Sequence, residues 1–140
     1  MSEYVIAEFR MADYDDAIQL WQRTEGIGLS SADTRERIAI YLERNPGLSF
    51  VARAGGELIG AVLCGHDGRR GYLHHLAVAK EWRGKGVGRA LTSAPLAGLK
   101  ALDIDKCHLF VYSDNQAGRE FWTHEGWKER HDLMLVSKDL

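Results

Sequence analysis

The stretch Tyr72-Leu73-His74-His75-Leu76-Ala77-Val78, followed by Ala79-Lys80-Glu81-Trp82 and then Arg83-Gly84-Lys85-Gly86-Val87-Gly88-Arg89-Ala90-Leu91, decides how the rest of the chain is read. Its first seven residues are strand formers and its last are helix formers. At the junction, glycines at 84, 86 and 88 alternate with Lys85 and Val87, and cations stand at 83, 85 and 89. The first N–H groups of a helix have no acceptor inside the helix, and the macrodipole adds partial positive charge there, so an anion is stabilised. Glycine lets backbone approach such an anion closely. A strand that hands over to a helix through this loop has the parts of a phosphate cradle.

Spacing narrows the ligand. A mononucleotide P-loop needs a hydroxyl residue after its lysine, and Gly86 follows Lys85. The dinucleotide fingerprint begun at Gly84 needs glycine at 89, where Arg89 stands. What remains, Arg83-x-x-Gly86-x-Gly88, resembles the Q/R-x-x-G-x-G/A pyrophosphate loop of the GCN5-related N-acetyltransferase (GNAT) family, which uses acetyl-coenzyme A (acetyl-CoA). A second stretch resembles a family motif of the form N-x-x-A-x-x-x-Y followed by G-F: Asn115, Gly118 and Trp122, then Gly126 and Trp127. The resemblance runs from about Tyr4 to Val136 and is most specific between Leu76 and Trp127.

The resemblance implies a cofactor site made of Leu76, Ala77 and Val78, whose backbone meets the pantetheine arm as an added strand would. The loop Arg83, Gly84, Lys85, Gly86, Val87, Gly88 and Arg89 would hold the pyrophosphate. Asn115, Phe121 and Trp122 would pack along the arm. It implies direct acetyl transfer from acetyl-CoA to a primary amine of a small molecule or peptide in a ternary complex, and it is compatible with a homodimer. Two departures stand out: Gly118 replaces the usual alanine, and Trp122 replaces a tyrosine that protonates the departing thiolate. An indole N–H donates a hydrogen bond but is no proton source near neutral pH. A non-catalytic acyl-CoA binding or sensor domain is therefore the alternative.

The catalytic base has several candidates. His74 shares a face with Leu76 if the strand is regular, and a bulge exchanges it for His75. Glu25 lies in the loop where the family places its acceptor, and Tyr112 offers a hydroxyl near the cofactor sulfur. No cluster suggests a metal.

Outward from this stretch, the patterns predict a first strand over Tyr4–Phe9 and a helix capped by Asp13 running to about Thr24. A second helix opens on a capping box of Asp33 and Glu36 and stops at Asn45-Pro46-Gly47. Leu48–Arg53 and Leu58–Cys64 form a hairpin about Gly55-Gly56. Pro95 predicts a kink or break in the helix after Gly86, near Leu91 to Pro95. Strands over Cys107–Tyr112 and Leu133–Val136 flank a helix over Asn115–Glu125. The expectation is a single α/β domain over 1–140, with a mixed, mostly antiparallel sheet flanked by helices. Its parallel strand pair, 72–78 with 107–112, should splay apart at the carboxyl ends, as in the acyl-CoA N-acyltransferase fold.

Composition is that of an ordinary soluble globular protein: 140 residues, 45% hydrophobic, 27% charged and a net charge of −2. That charge argues against nucleic acid or an anionic membrane as partner. Cys64 and Cys107 sit in apolar runs without metal or redox spacing. Met1 to Tyr4 begin no leader pattern and no apolar run spans a bilayer, so a cytoplasmic location is expected.

Overall fold

The Gly55-Gly56 turn sets the sheet. Both residues have positive φ, +57° and +86°, the signature of a tight hairpin turn, and they join β2 (Phe50–Ala54) to β3 (Glu57–His66). In the computed structural model, which describes residues 3–140, β1 (Val5–Glu8) pairs with β2 and β4 (Gly71–Val78) with β3, all antiparallel. β5 (Cys107–Leu109) pairs parallel to β4, giving the order β1-β2-β3-β4-β5. Met1 and Ser2, part of the stretch read above for a leader, lie outside the described residues. The helices are α1 (Tyr14–Gln22), α2 (Arg35–Arg44), α3 (Val87–Ala101) and α4 (Gln116–His124). The mixed α/β architecture is the expected one.

The chain falls into two compact units, one ending at Phe110 and the other running Val111–Leu140. In the first, β3 is the central strand and buried along nearly its whole length. Gly60 and Gly65, an odd number of residues apart, face opposite sides of the sheet. A Cβ on Gly60 would meet Leu91 Cδ1 at 2.7 Å, whereas one on Gly65 would meet the Tyr41 hydroxyl at 2.6 Å. So α3 covers one face at close range and α2 the other. Gly71 repeats the close approach, its missing Cβ 2.4 Å from Leu99 Cδ1.

α3 corrects one expectation. It continues through Pro95 as a helix of 15 residues without the predicted break. Proline inside a helix costs about 3 kcal/mol, but Val87, Leu91 and Leu99 are all buried on its sheet face, at about 1.5–3 kcal/mol each. Burial outweighs the lost bond. Thr92 and Ser93, in the turn before the proline, bend their hydroxyls back onto the Arg89 carbonyl.

Helix starts also differ. Asp13 does not cap α1 through its side chain; it accepts from Arg10 N–H and pairs with Arg53 at 2.7 Å. Nor does Asp33 pair with Glu36. Thr34 is the N-cap of α2, and Asp33 ends a short 3₁₀ turn, Ser31–Asp33, whose cap is Ser30. α2 ends at Arg44, with Asn45 as its C-cap and Gly47 at φ +75°.

The second unit contains α4, capped by Asn115, and a cluster of Phe121, Trp122 and Trp127 rings. The predicted strand over Leu133–Val136 is absent, and Met134 is 88% exposed. A strand exists only in a ladder, and this unit contains no other strand to pair with. β5 is likewise shorter than the predicted 107–112, ending at Leu109.

The Gly60–Leu91 contact is testable. Leu91→Ala is expected to destabilise by about 2–5 kcal/mol, and Gly60→Ala by about 1–3 kcal/mol through overpacking. In urea denaturation the Gly60→Ala cost should shrink in the Leu91→Ala background, because the clashing methyl is gone.

Candidate functional site

β4 is irregular where the histidines sit. Ala61 pairs with Ala77 but Leu63 pairs with His74, so His75 and Leu76 together oppose Val62 in a bulge. His75 takes φ +56°, a left-handed conformation that costs a non-glycine residue on the order of 1–3 kcal/mol. Several contacts hold it there. Trp21 Nε1 donates to the His75 carbonyl at 2.7 Å, and its ring centroid lies 5.2 Å from the imidazole. The imidazole Nε2 lies 2.9 Å from Asp33 Oδ1. Hydrogen bonds at about 1 kcal/mol each, more with a charged partner, offset the backbone cost.

Asp33 is fixed in turn. It is only 8% exposed; its Oδ2 accepts the Ser30 N–H at 2.9 Å and its carbonyl accepts the Tyr14 hydroxyl at 2.6 Å. Both carboxylate oxygens are therefore engaged, one by the turn and one by His75.

Beyond the bulge β4 has an open edge. Its ladder with β5 comprises Gly71–Cys107, Tyr72–His108 and Leu73–Leu109 and then stops. From His74 to Val78 no strand among the described residues pairs with that side. Ala79 N–H donates to the Ile59 carbonyl, so the backbone of 79, and by alternation 77, faces β3. Leu76 and Val78 consequently turn their N–H and C=O groups to the open edge. Ala77, grouped with them from the sequence, does not: its backbone pairs with β3 and its side chain is buried.

The loop lies directly after this edge. Gly84 and Gly86 have φ +75° and +84°, and a Cβ at either would point into open space. That is a cradle lined by backbone. The first α3 bond runs from Ala90 N–H to the Gly86 carbonyl, so Val87 and Gly88 N–H groups have no acceptor within the helix. Val87 is buried and anchors the helix start. Arg83 Nε donates to the Val78 carbonyl at 3.0 Å, and the Lys85 ammonium lies 5.2 Å from the Trp82 ring centroid. With Arg89, these cations and amides fit a pyrophosphate.

The other predicted residues divide between the two units. His74 faces the rings of Tyr41 and Phe110, each at a centroid distance of 6.3 Å. Burial first, and the field of His75 second, push its imidazole below the ordinary value. The regular-strand reading that favoured His74 fails at the bulge. Glu25 is exposed in the turn after α1. Tyr112 is exposed and belongs to the second unit, with Asn115, Phe121 and Trp122. Asn115 Oδ1 accepts the Gly118 N–H at 3.0 Å, so it caps α4. A Cβ on Gly118 would meet Asn115 Nδ2 at 2.6 Å, so an alanine here would require the capping side chain to shift. Asp33 was missed as a site residue because it was read as a cap for α2. The signal was Ser30, three residues earlier, which makes Asp33 the closing member of a box one turn upstream.

Neither thiol suits a nucleophile: burial pushes Cys64 up to about 12 and Cys107 up to about 11. Among the described residues no group of side chains is suited to hold a metal, and no helix is long and apolar enough to cross a membrane.

Comparison with known proteins decides the family. The model described as the acetyltransferase (GNAT) family matches residues 14–127. The chain belongs to the GNAT family. An acetyltransferase of Sodalis glossinidius is 31% identical over 135 residues, covering 96% of this chain and 94% of its own. Solved GNAT structures share the fold. The PaiA N-acetyltransferase of Thermoplasma acidophilum, in complex with coenzyme A, has a TM-score of 0.78 at 21% identity, covering 90% of each chain. AAC(6')-Iy, in complex with a bisubstrate analogue built on coenzyme A, has a TM-score of 0.78 at 17% identity, covering 99% of this chain and 100% of its own. As a GNAT, this protein is an acetyl-CoA-dependent N-acetyltransferase, with acetyl-CoA as co-substrate.

Gly86→Glu places a side chain and negative charge in the cradle and forces a left-handed φ on a non-glycine residue. Calorimetry with coenzyme A is expected to show binding weakened by about a hundredfold or more, about 2.7 kcal/mol. Affinity within about twofold of wild type would remove the loop from the site.

Proposed function

We propose that the protein moves the acetyl group of acetyl-CoA to a primary amine of a small molecule or peptide by direct attack in a ternary complex. The observation that carries this reading is the edge of β4 left unpaired beyond Leu73, on the strand that runs into a glycine-lined helix start. The open edge at Leu76 and Val78 is suited to the amide-bearing pantetheine arm, as strand addition is. The amides of Val87 and Gly88, with Arg83, Lys85 and Arg89, are suited to the pyrophosphate. For Asn115, Phe121 and Trp122 the proposal keeps the pantetheine contacts that the motif implies.

The chemistry of the groups present supports direct attack. A covalent relay needs a thiolate, and burial disfavours the thiolate at both cysteines. Magnitudes also show which proton matters. A thiol of pKa near 8.5 leaves tolerably without an acid, whereas an alkylamine of pKa near 10.4 must first lose a proton at pH 7, uphill by roughly 4–5 kcal/mol. Trp122 in place of tyrosine is then the lesser loss. A backbone N–H turned to the open edge can stabilise the developing oxyanion. On the mild net charge we propose no nucleic-acid or anionic-membrane partner; a cytoplasmic location and a homodimer are compatible with the reading.

The test incubates purified protein with acetyl-CoA and a panel of aliphatic amines, amino acids, aminoglycosides and peptides, following free thiol and the mass of the acetylated amine. Amine-dependent thiol release with at least one class is expected, and no release with any class would overturn the reading. With acetyl-CoA alone, intact mass should show no acetyl group on Cys64 or Cys107. A cysteine adduct that is chased to the amine would replace direct attack by a covalent relay.

A further inference from the structure

We propose that His75 is the proton acceptor for the attacking amine and that Asp33 is its positioning residue; this rests on the acetyl-transfer reading above. The argument begins with the ring. A carboxylate oxygen only accepts, so the 2.9 Å contact assigns the hydrogen to Nε2, which donates to Asp33 Oδ1. Nδ1 is then the nitrogen with a lone pair, and it has no hydrogen-bond partner among the described residues. The side chain is 19% exposed, and Nδ1 is not among the fully buried polar atoms left without a partner, so it keeps contact with solvent while the opposite nitrogen is held.

The surroundings are built to keep that tautomer. Asp33 cannot turn away, because its second oxygen holds the Ser30 amide and its carbonyl holds the Tyr14 hydroxyl. Trp21 covers the imidazole and grips the backbone of the same residue. The left-handed φ of His75 brings two consecutive histidines near one another, their ring centroids 6.4 Å apart, where a regular strand would send them to opposite faces. Titratable groups facing His75 are Asp33 from the turn before α2 and His74 from β4; α1 presents the neutral Trp21. His74 sits among rings without a carboxylate partner, so of the two only His75 has both an oriented tautomer and an open nitrogen.

The proton balance is as follows. The ammonium form of the acceptor gives one proton to Nδ1, which releases it to water. The neutral amine nitrogen forms its bond to the acyl carbon and loses a second proton to Nδ1. The carbon–sulfur bond breaks with its electrons going to sulfur, which takes that second proton. One amide, one thiol and one proton in solution result. His75 sits at the bulge that begins the open edge, next to Leu76, where the thioester end of the co-substrate belongs if the arm runs along Leu76 and Val78 toward the cradle.

The variant of choice is His75→Gly, because glycine accepts a left-handed φ and leaves a ring-sized space. Coenzyme A affinity by calorimetry is expected to stay within about twofold of wild type, while kcat falls by about a hundredfold or more. Added imidazole should restore rate, and across substituted imidazoles the restored rate should rise with basicity, as for a true proton acceptor. Heteronuclear NMR of the ring nitrogens in wild type should show Nε2 protonated and Nδ1 bare. If glycine compromises folding, His75→Asn serves, since asparagine tolerates this conformation and accepts no proton. A variant kcat within about threefold of wild type would overturn the inference. So would a rescue indifferent to basicity, which marks a space-filling role, or a protonated Nδ1 in wild type. If wild type turns over amines and only these outcomes fail, acetyl transfer stands and this assignment falls. If wild type binds no coenzyme A, both fall.

Discussion

The hydrogen bond from Trp21 Nε1 to the His75 carbonyl joins α1 to the strained part of β4. A left-handed residue in mid-strand persists only where the surroundings over-determine it, and this bond, the Asp33 contact and the two-for-one opposition at Val62 do so together. The bulge in turn re-aims β4. Without it, alternation would continue from Gly71 to Val78, and the backbone of Leu76 and Val78 would lose its present direction toward the edge that β5 leaves open. The cradle follows within a few residues on the same strand–loop–helix run, so the proposed donor edge and the candidate base share one local distortion and lie beside it.

Much of this was legible in the sequence because it is local. The spacing of Arg83, Gly86 and Gly88 identifies a loop whose requirements are backbone freedom and charge, both written in residue type. Gly55-Gly56 and Asn45-Pro46-Gly47 are likewise punctuation, and the structure places a turn and a helix end there.

What was not legible depends on partners distant in sequence. Asp33 belongs to His75, 42 residues away, and no periodicity within either segment encodes the pair; locally, Asp33 looks like a helix cap. Pro95 argues for a break on local grounds, and only the sheet face under Leu91 and Leu99 supplies the burial that overrides it. Leu133 to Val136 has the composition of a strand, but a strand is a relation between two segments and composition states only one. The histidine choice turned on a bulge, which shifts a face by a single residue and leaves no mark in hydrophobic pattern.

Glycines at 60 and 71 let α3 lie almost on the backbone of β3 and β4, with Leu91 and Leu99 seated where side chains would otherwise stand. A helix so closely seated has little room to slide. Its first turn is the anion end of the proposed binding mode, and the bulge is the reactive end. The span between them is thus set by core packing and works as a ruler. Thioesters on carriers shorter than phosphopantetheine, even good acyl donors in solution, would leave one end unfilled. Selectivity for the carrier would then reside in the core of the protein, far from any residue that touches the acyl group.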